Sequence, residues 1–256
     1  MKVTPSLLLL FSSGALAASP FDGSWKIDLK SVRTTGKPDV YLLTKGEYTC
    51  SSCLPDLHVK ADGAEHAVTD HSYYDTAIVK VTGPDSIEIT LMKDGKEFAH
   101  MVDTVSADGN TLTTRFRNHL GDQEVTGILA ERRVAAAPPG SHPVSGSWQQ
   151  QGFDADDAVR AIQYKMTADG FQMSWAGQSY DAKFDGKEYP VNGDPGKTRV
   201  VLKKIDARTI EETDRRDGKV VDEFRMTVAE DGGTVSVRDK DLTHDQTTTY
   251  TLQKQP

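Results

Sequence analysis

Apolar and polar residues alternate along most of the chain. Ile87, Ile89 and Leu91 share one parity, and polar residues lie between them. The same alternation recurs in residues 162–166 and 171–175. Alternation over a few residues predicts a strand with one face on a core and the other in water, as in antiparallel sheets.

Asp-Gly pairs separate many of these alternating segments, at Asp94-Gly95, Asp108-Gly109, Asp217-Gly218 and Asp231-Gly232. Asp-Gly is a strong signal for a tight hairpin, because both turn residues must tolerate a positive φ. We count about eight short strands per half, a spacing typical of sandwiches and barrels. Closure into a barrel removes the edges that a series of hairpins leaves. One short helix is expected, over residues 154–161 with Asp154 as its N-cap.

The second half of the chain repeats the first at a shift of 123 positions. Gly23-Ser24-Trp25 falls on Gly146-Ser147-Trp148, and Asp94-Gly95-Lys96 falls on Asp217-Gly218-Lys219. About a quarter of the aligned positions are identical without a gap, which indicates duplication. We predict two homologous domains, residues 18–133 and 146–256, joined by an Ala- and Pro-rich linker at 134–145.

Residues 1–17 have the features of a secretory signal peptide. Lys2 supplies the positive end, a short apolar stretch follows, and Ala15-Leu16-Ala17 is a small-residue cleavage site. We expect cleavage after Ala17 and a mature protein in the periplasm or outside the cell. No cysteine lies at the cut, so no lipid anchor is expected. No later apolar run is long enough to predict a membrane span.

Each predicted domain opens with a Gly-x-Trp sequence, Gly23-x-Trp25 and Gly146-x-Trp148. These sequences resemble the G-x-W signature of lipocalins and related calycin barrels. The resemblance implies that each Trp closes one end of a barrel and that a basic residue of the last strand packs over it. The candidates for that basic residue are Arg132 or Arg133 in the first half and Lys254 in the second.

The chain as a whole resembles secreted bacterial proteins with two tandem lipocalin-like (calycin-type) domains. The segments that carry this resemblance are residues 48–53, 60–63 and 185–195. It implies an all-β fold of two tandem antiparallel lipocalin-like β-barrels. It does not imply a particular activity.

Cys50 and Cys53 are the only cysteines, and together with His66 and His71 they match the spacing of a C2H2 zinc finger. A finger places both histidines on a helix, but the repeat copy of this stretch contains Pro190, which argues against a helix. We expect a Cys50–Cys53 disulfide, because an exported protein with two cysteines usually oxidises. A metal site formed by the same four residues and a reactive dithiol remain alternatives.

Aromatic residues are the candidates to line a barrel interior, namely Tyr41, Tyr48, Tyr164, Trp175 and Tyr180. Such residues also fill small barrels as ordinary core. The carboxylates of Glu211-Glu212, Asp156-Asp157 and Asp214 lie in polar stretches, and we interpret them as a solvated face.

The formal net charge of −8 at pH 7 changes which partners are expected. An acidic protein repels phosphate backbones and anionic lipid, so we expect no nucleic-acid or lipid-surface partner. The chain lacks a nucleophile-elbow motif, H-E-x-x-H, a P-loop and G-x-G-x-x-G. We therefore expect a binding protein rather than an enzyme, a monomer without a catalytic residue or cofactor.

The function predicted from these features is an exported protein that holds a small apolar or amphipathic ligand in a β-barrel. The alternative is an envelope-associated structural or interaction module with filled barrels. A third possibility is a barrel that binds a metal or haem through His66 or His71.

Overall fold

The computed structural model of the chain describes residues 19–120 and 123–256, so the predicted signal peptide lies outside the described residues. The first ten strands are β1 (Gly23–Gly36), β2 (Asp39–Thr44), β3 (Glu47–Cys50), β4 (Leu57–Lys60), β5 (His66–Ala67), β6 (Thr76–Val81), β7 (Ser86–Lys93), β8 (Lys96–Val105), β9 (Thr111–Leu120) and β10 (Gln123–Ala136). The next elements are β11 (Gly146–Ala155), helix α1 (Asp157–Arg160), β12 (Ala161–Met166), β13 (Gly170–Trp175), β14 (Gln178–Lys183) and β15 (Tyr189–Pro190). The last five strands are β16 (Arg199–Lys204), β17 (Thr209–Arg216), β18 (Lys219–Val228), β19 (Thr234–Asp241) and β20 (Gln246–Lys254).

The strands form two antiparallel sheets of ten strands, each curled into a nearly closed barrel. Barrel 1 has the order β4-β3-β2-β11-β10-β9-β8-β7-β6-β5, and barrel 2 has the order β14-β13-β12-β1-β20-β19-β18-β17-β16-β15. The edges of barrel 2 approach each other where Ser179 pairs with Asn192. The predicted all-β fold of two antiparallel barrels is confirmed. Each sheet has more than the expected eight strands, because two-residue strands such as β5 and β15 are too short to show alternation.

The duplication is visible strand by strand. Strands β6, β7 and β8 have the same bounds as β16, β17 and β18 when 123 is added to each residue number. The Asp94 and Asp217 turns have nearly the same backbone, with φ of 51° and 49°. In the last strands, Arg133 lies opposite Trp148 and Lys254 lies opposite Trp25, so there the match is at a shift of 121.

Each barrel takes its first strand from the other half of the chain. Strand β1 pairs with β12 and β20 in barrel 2, and β11 pairs with β2 and β10 in barrel 1. The expected domains 18–133 and 146–256 therefore do not coincide with the barrels. Both first strands carry the same Gly-x-Trp pattern, so self-comparison could not assign them to a barrel.

The expected linker is also part of the folded structure. Its first three residues extend β10, which ends at Ala136. The rest packs on barrel 1, where the backbone N–H of His142 donates to the Leu43 carbonyl at 2.8 Å. The Ser145 hydroxyl accepts from the Leu43 backbone N–H at 2.8 Å. This segment thus behaves as a structural connection and not as a free spacer.

The two Gly-x-Trp tryptophans are buried at equivalent positions. The indole N–H of Trp25 donates to the Phe21 carbonyl at 2.8 Å, and that of Trp148 donates to the Val144 carbonyl at 2.9 Å. Because of the strand exchange, each Trp is covered by a basic residue from the other half. The Arg133 guanidinium lies 4.0 Å from the centre of the Trp148 ring, and the Lys254 ammonium lies 5.1 Å from that of Trp25. Arg132, the other candidate, is exposed.

The helix begins later than predicted. Residues 154 and 155 still belong to β11, and the N-cap is Asp156, whose carboxylate accepts from the Val159 backbone N–H at 3.1 Å. Within the described part of the chain, no helix has the length and apolar content of a membrane span.

Candidate functional site

Barrel 2 contains a cavity of about 260 Å³. Its apolar and aromatic wall consists of Ile27, Ile162, Tyr164, Met173, Trp175, Tyr180, Val191, Phe224, Met226, Val237 and Tyr250. Trp25 is buried in the core of this barrel, with the Lys254 ammonium over its ring. The cavity reaches the β17–β18 turn, where Arg216 lies.

Three carboxylates interrupt this apolar wall. Glu212 and Asp214 lie on β17 and Asp239 lies on β19. On β17, Glu212 and Asp214 alternate with outward-facing residues. They lie on the same side of the strand as Ile210, which is fully buried. The strand period therefore points acidic side chains into a mostly apolar interior.

The buried position changes the titration of these acids. Burial, together with the Glu212 charge, raises the pKa of Asp214 far above its ordinary value, and burial likewise raises the pKa of Glu212. Burial and the nearby Asp222 carboxylate raise the pKa of Asp239 to about 7. The carboxyls thus hold protons more tightly than exposed acids, because a low dielectric disfavours their charge.

Hydrogen bonds satisfy only part of this acidic group. The Tyr180 hydroxyl donates to Glu212 Oε2 at 2.5 Å. Asp214 Oδ1 and Asp239 Oδ1 are both inaccessible to solvent, and within residues 19–120 and 123–256 neither has a hydrogen-bond partner. A buried oxygen without a donor is costly, so these two atoms are the places where a donor from outside the chain would add most.

The rim of the cavity is built by both halves of the chain. Barrel 2 supplies Gln178, Asp194, Thr198 and Arg216, and barrel 1 supplies Tyr73 from the loop between β5 and β6. The Arg216 guanidinium donates to the Thr198 hydroxyl at 3.1 Å and to Asp222 at 3.4 Å. Its charge is therefore already paired at the rim.

The structure places the predicted aromatic residues in two different barrels. Tyr164, Trp175 and Tyr180 line the cavity of barrel 2. Tyr41 and Tyr48 lie in barrel 1, where their rings stack with centres 6.3 Å apart against the core. The five residues are therefore not brought together into one site.

The expectation that Glu212 and Asp214 belong to a solvated face is wrong. Both point into barrel 2, whereas Glu211 faces outward and pairs with Arg225. The repeat contained the signal, because a shift of 123 places Glu212 on Ile89 and Asp214 on Leu91. The polar residues around Glu212 and Asp214 suggested a solvated face, although the matching positions in the other copy, Ile89 and Leu91, are apolar.

The predicted disulfide is present, with Cys50 and Cys53 bonded to each other. Both sulfur atoms are thereby used, so the alternative zinc site with His66 and His71 is not formed. His66 contacts Asp62 at 2.8 Å, and the His71 ring stacks on Tyr74 with centres 3.6 Å apart.

Barrel 1 also buries acids, but near its Trp148 end. Asp103 accepts from the Thr114 hydroxyl at 2.6 Å, and burial raises its pKa to about 6. Glu131 is fully buried beside Asp39, and burial raises the pKa of both. These acids lie within the packed core around Trp148.

Comparison of the chain with protein-family models, with curated proteins and with solved structures finds no match. The chemistry of the site therefore follows from its geometry. A cavity with aromatic walls, two carboxylate oxygens that lack a partner among the described residues, and a paired arginine at its rim can hold a small molecule that has an apolar body and a donating end.

Proposed function

We propose that the protein binds a small amphipathic molecule in the barrel 2 cavity and that the polar end of this ligand is an organic ammonium group. The observation that carries the proposal is the pair of buried, unpartnered oxygens on Asp214 and Asp239 inside an otherwise apolar wall. An ammonium group brings several hydrogen-bond donors and a positive charge, which is what two carboxylates lack.

The rest of the wall supports the same chemistry. Tyr164, Tyr250 and Trp175 offer aromatic surface for the apolar body, and an aromatic face also attracts a cation. An anionic ligand would meet three carboxyls, while Arg216, the one cation that lines the cavity in the described part of the chain, is already paired with Asp222. A purely apolar ligand would leave both carboxylate oxygens without a donor.

The volume limits the size of the ligand. Sites for drug-sized molecules usually enclose about 300 Å³ or more, and this cavity holds about 260 Å³. The ligand is therefore a small one, with an apolar body no larger than one aromatic ring and a short chain. The disulfide and the signal peptide predicted at residues 1–17 support binding in an oxidising compartment outside the cytoplasm.

Calorimetric titration with three probes of one shape tests the proposal. We expect 2-phenylethylamine to bind with a Kd on the order of 0.1 mM or lower, and 2-phenylethanol and 3-phenylpropanoate to bind much more weakly. Asp214→Asn should weaken the amine by roughly tenfold or more, since a charged hydrogen bond is lost. Asp217→Asn removes the same charge from an exposed turn and should change nothing.

The pH dependence gives a second readout. Burial raises the pKa of Glu212 and of Asp239 to about 7, and binding of the amine requires such carboxyls to ionise, so its affinity should increase as pH rises from about 6 to 8. Equal affinity for the amine and the alcohol, or an amine affinity unchanged by Asp214→Asn, would contradict the ammonium assignment. No binding by any of the three probes would favour the interaction-module alternative, in which the barrels serve as scaffolds.

A further inference from the structure

We propose that Tyr73 of barrel 1 is the gate of the barrel 2 cavity, so that a molecule enters faster when this side chain leaves the rim. Tyr73 is the residue by which barrel 1 reaches the cavity wall, and its ring lies against Gly196 and under Arg216 of barrel 2. The inference goes beyond the proposed function and rests on it only for the identity of the molecule that enters.

The contacts of the ring hold it in place from both sides. The ring of Phe98 in barrel 1 stacks on it with centres 5.6 Å apart, and the Arg216 guanidinium lies 5.0 Å from its centre. Burial, helped by the negative charge of Asp194, raises the pKa of the Tyr73 hydroxyl to about 12. The hydroxyl therefore stays neutral at the rim at any physiological pH.

Gly196 provides the seat for this ring. A Cβ atom on Gly196 would lie 2.7 Å from Tyr73 Cζ, closer than non-bonded carbons allow. A shift of 123 places Tyr73 on Gly196 itself, so the two copies of one repeat position meet at the contact between the barrels. One copy carries the ring and the other carries the space for it, and the ring lies at the rim of the barrel 2 cavity.

The backbone around Tyr73 is pinned, so opening is a movement of the side chain. The Val68 backbone N–H donates to the Asp75 carbonyl at 2.7 Å, and the Asp75 N–H donates to the Met92 carbonyl at 2.9 Å. The Tyr73 N–H donates to His71 Nδ1 at 3.2 Å. Rotation of an aromatic side chain needs none of these bonds to break.

Thiol modification measures access to the cavity without any knowledge of the natural ligand. Met226 is buried and lines the cavity, and the two native cysteines are bonded to each other. The Met226→Cys variant of the full chain therefore has one free thiol. The probe is 2-aminoethyl methanethiosulfonate, which forms a mixed disulfide with the thiolate and releases methanesulfinate. Val237→Cys, on the same wall, replaces Met226→Cys if that variant does not fold.

Three substitutions in the cysteine background define the gate. Tyr73→Ala should raise the modification rate at least tenfold, and Gly196→Ala should raise it in the same direction by displacing the ring. Tyr73→Phe keeps the ring and should leave the rate within twofold. Gly152→Ala is the matched control, because a Cβ there meets only Ala130 at an ordinary 3.9 Å.

A modification rate in Tyr73→Ala within twofold of the parent variant would overturn the proposal and place the entrance elsewhere. This outcome is separate from the calorimetric one. If Tyr73→Ala raises the modification rate but 2-phenylethylamine does not bind, Tyr73 remains the gate and the ligand class is rejected. If the amine binds but the modification rate does not depend on Tyr73, the ligand class stands and the gate is rejected.

Discussion

Barrel 1 and barrel 2 are two copies of one repeat that bury their acids at different inward positions. In barrel 2 Glu212, Asp214 and Asp239 line the cavity, and in barrel 1 Asp39 pairs with Trp148. The positions of Glu212, Asp214 and Asp239 in barrel 2 are occupied in barrel 1 by Ile89, Leu91 and Phe116. In the other direction, Asp39 and Asp103 of barrel 1 correspond to Ile162 and Met226 of barrel 2.

The two barrels show that the duplication preserved backbone structure, while the polarity of inward-facing positions changed. The bounds of β6–β8 and β16–β18 and the conformations of the Asp94 and Asp217 turns are shared, because they are set by backbone geometry and by the Asp-Gly turns. The polarity of an inward position is decided by one side chain and can change without altering the sheet. The acids of barrel 1 are groups of the core around Trp148, whereas the acids that line the barrel 2 cavity can meet a ligand.

The largest effect is expected from cutting the chain between its halves. With a protease site inserted after Gly140, an exposed turn residue, we expect the two fragments to remain bound after cleavage. Separation would pull β1 out of barrel 2 and β11 out of barrel 1, and would expose Trp25 and Trp148. Size-exclusion chromatography without denaturant measures this. Fragments that elute separately would show that each half is a barrel of its own.

The two tryptophan caps should differ in strength. Arg133 donates to the carbonyls of Gly109, Pro143 and Ser145 while it covers Trp148. The Lys254 ammonium only lies over Trp25. We expect Arg133→Met to lower the free energy of unfolding by about 2–4 kcal/mol, and Lys254→Met by less than about 1 kcal/mol. Denaturant titrations compare them, and equal losses would contradict the asymmetry.

The buried acids should make the fold less stable at alkaline pH. Burial raises the pKa of Glu131 in barrel 1 and of Asp239 in barrel 2, the latter to about 7. A raised folded-state pKa gives stability that is present at low pH and is lost as pH rises, because the unfolded state then binds fewer protons. We expect the Tm to fall between about pH 4.5 and 8, from the unfolded-state to the folded-state pKa of these two acids. The lowered pKa of His71, about 4, opposes this trend below about pH 6.5, because the unfolded state then binds the extra proton.

Single substitutions assign that pH effect to a barrel. Glu131→Gln and Asp239→Asn should each raise the free energy of unfolding at pH 8.5 by at least about 1–2 kcal/mol, and change it little at about pH 4, where both states hold these protons. The measurement is thermal unfolding at both pH values. A flat Tm in the parent protein, or variants that follow its slope, would show that these groups are not the cause.

A small effect is also expected from the disulfide of barrel 1. The corresponding residues of barrel 2 are Met173 and Ala176, so the turn forms there without a bridge. The Cys50–Cys53 bond closes a very short loop, and Cys50→Met with Cys53→Ala should cost about 2 kcal/mol or less. A loss far above this value in a denaturant titration would mean that the bond holds more than its own turn.

Much of the fold followed from the sequence because it depends on local pattern. Alternation and Asp-Gly turns predicted the strands, and the same alternation drew attention to Tyr164, Trp175 and Tyr180 as cavity residues. The repeat, applied to side-chain parity, would also have placed Glu212 inside barrel 2. The strand exchange and the position of Tyr73 could not be predicted, because they depend on which of two similar segments pairs with a distant strand.

Exchanging the cavity acids of barrel 2 for their counterparts in barrel 1 tests the central claim most directly. Glu212→Ile with Asp214→Leu gives barrel 2 the inward residues of barrel 1 at these two positions. The account predicts a folded protein, with an unchanged far-ultraviolet circular dichroism spectrum, that no longer binds 2-phenylethylamine in calorimetry. Binding of the amine with the affinity of the parent protein would contradict it and place the binding site outside the barrel 2 cavity.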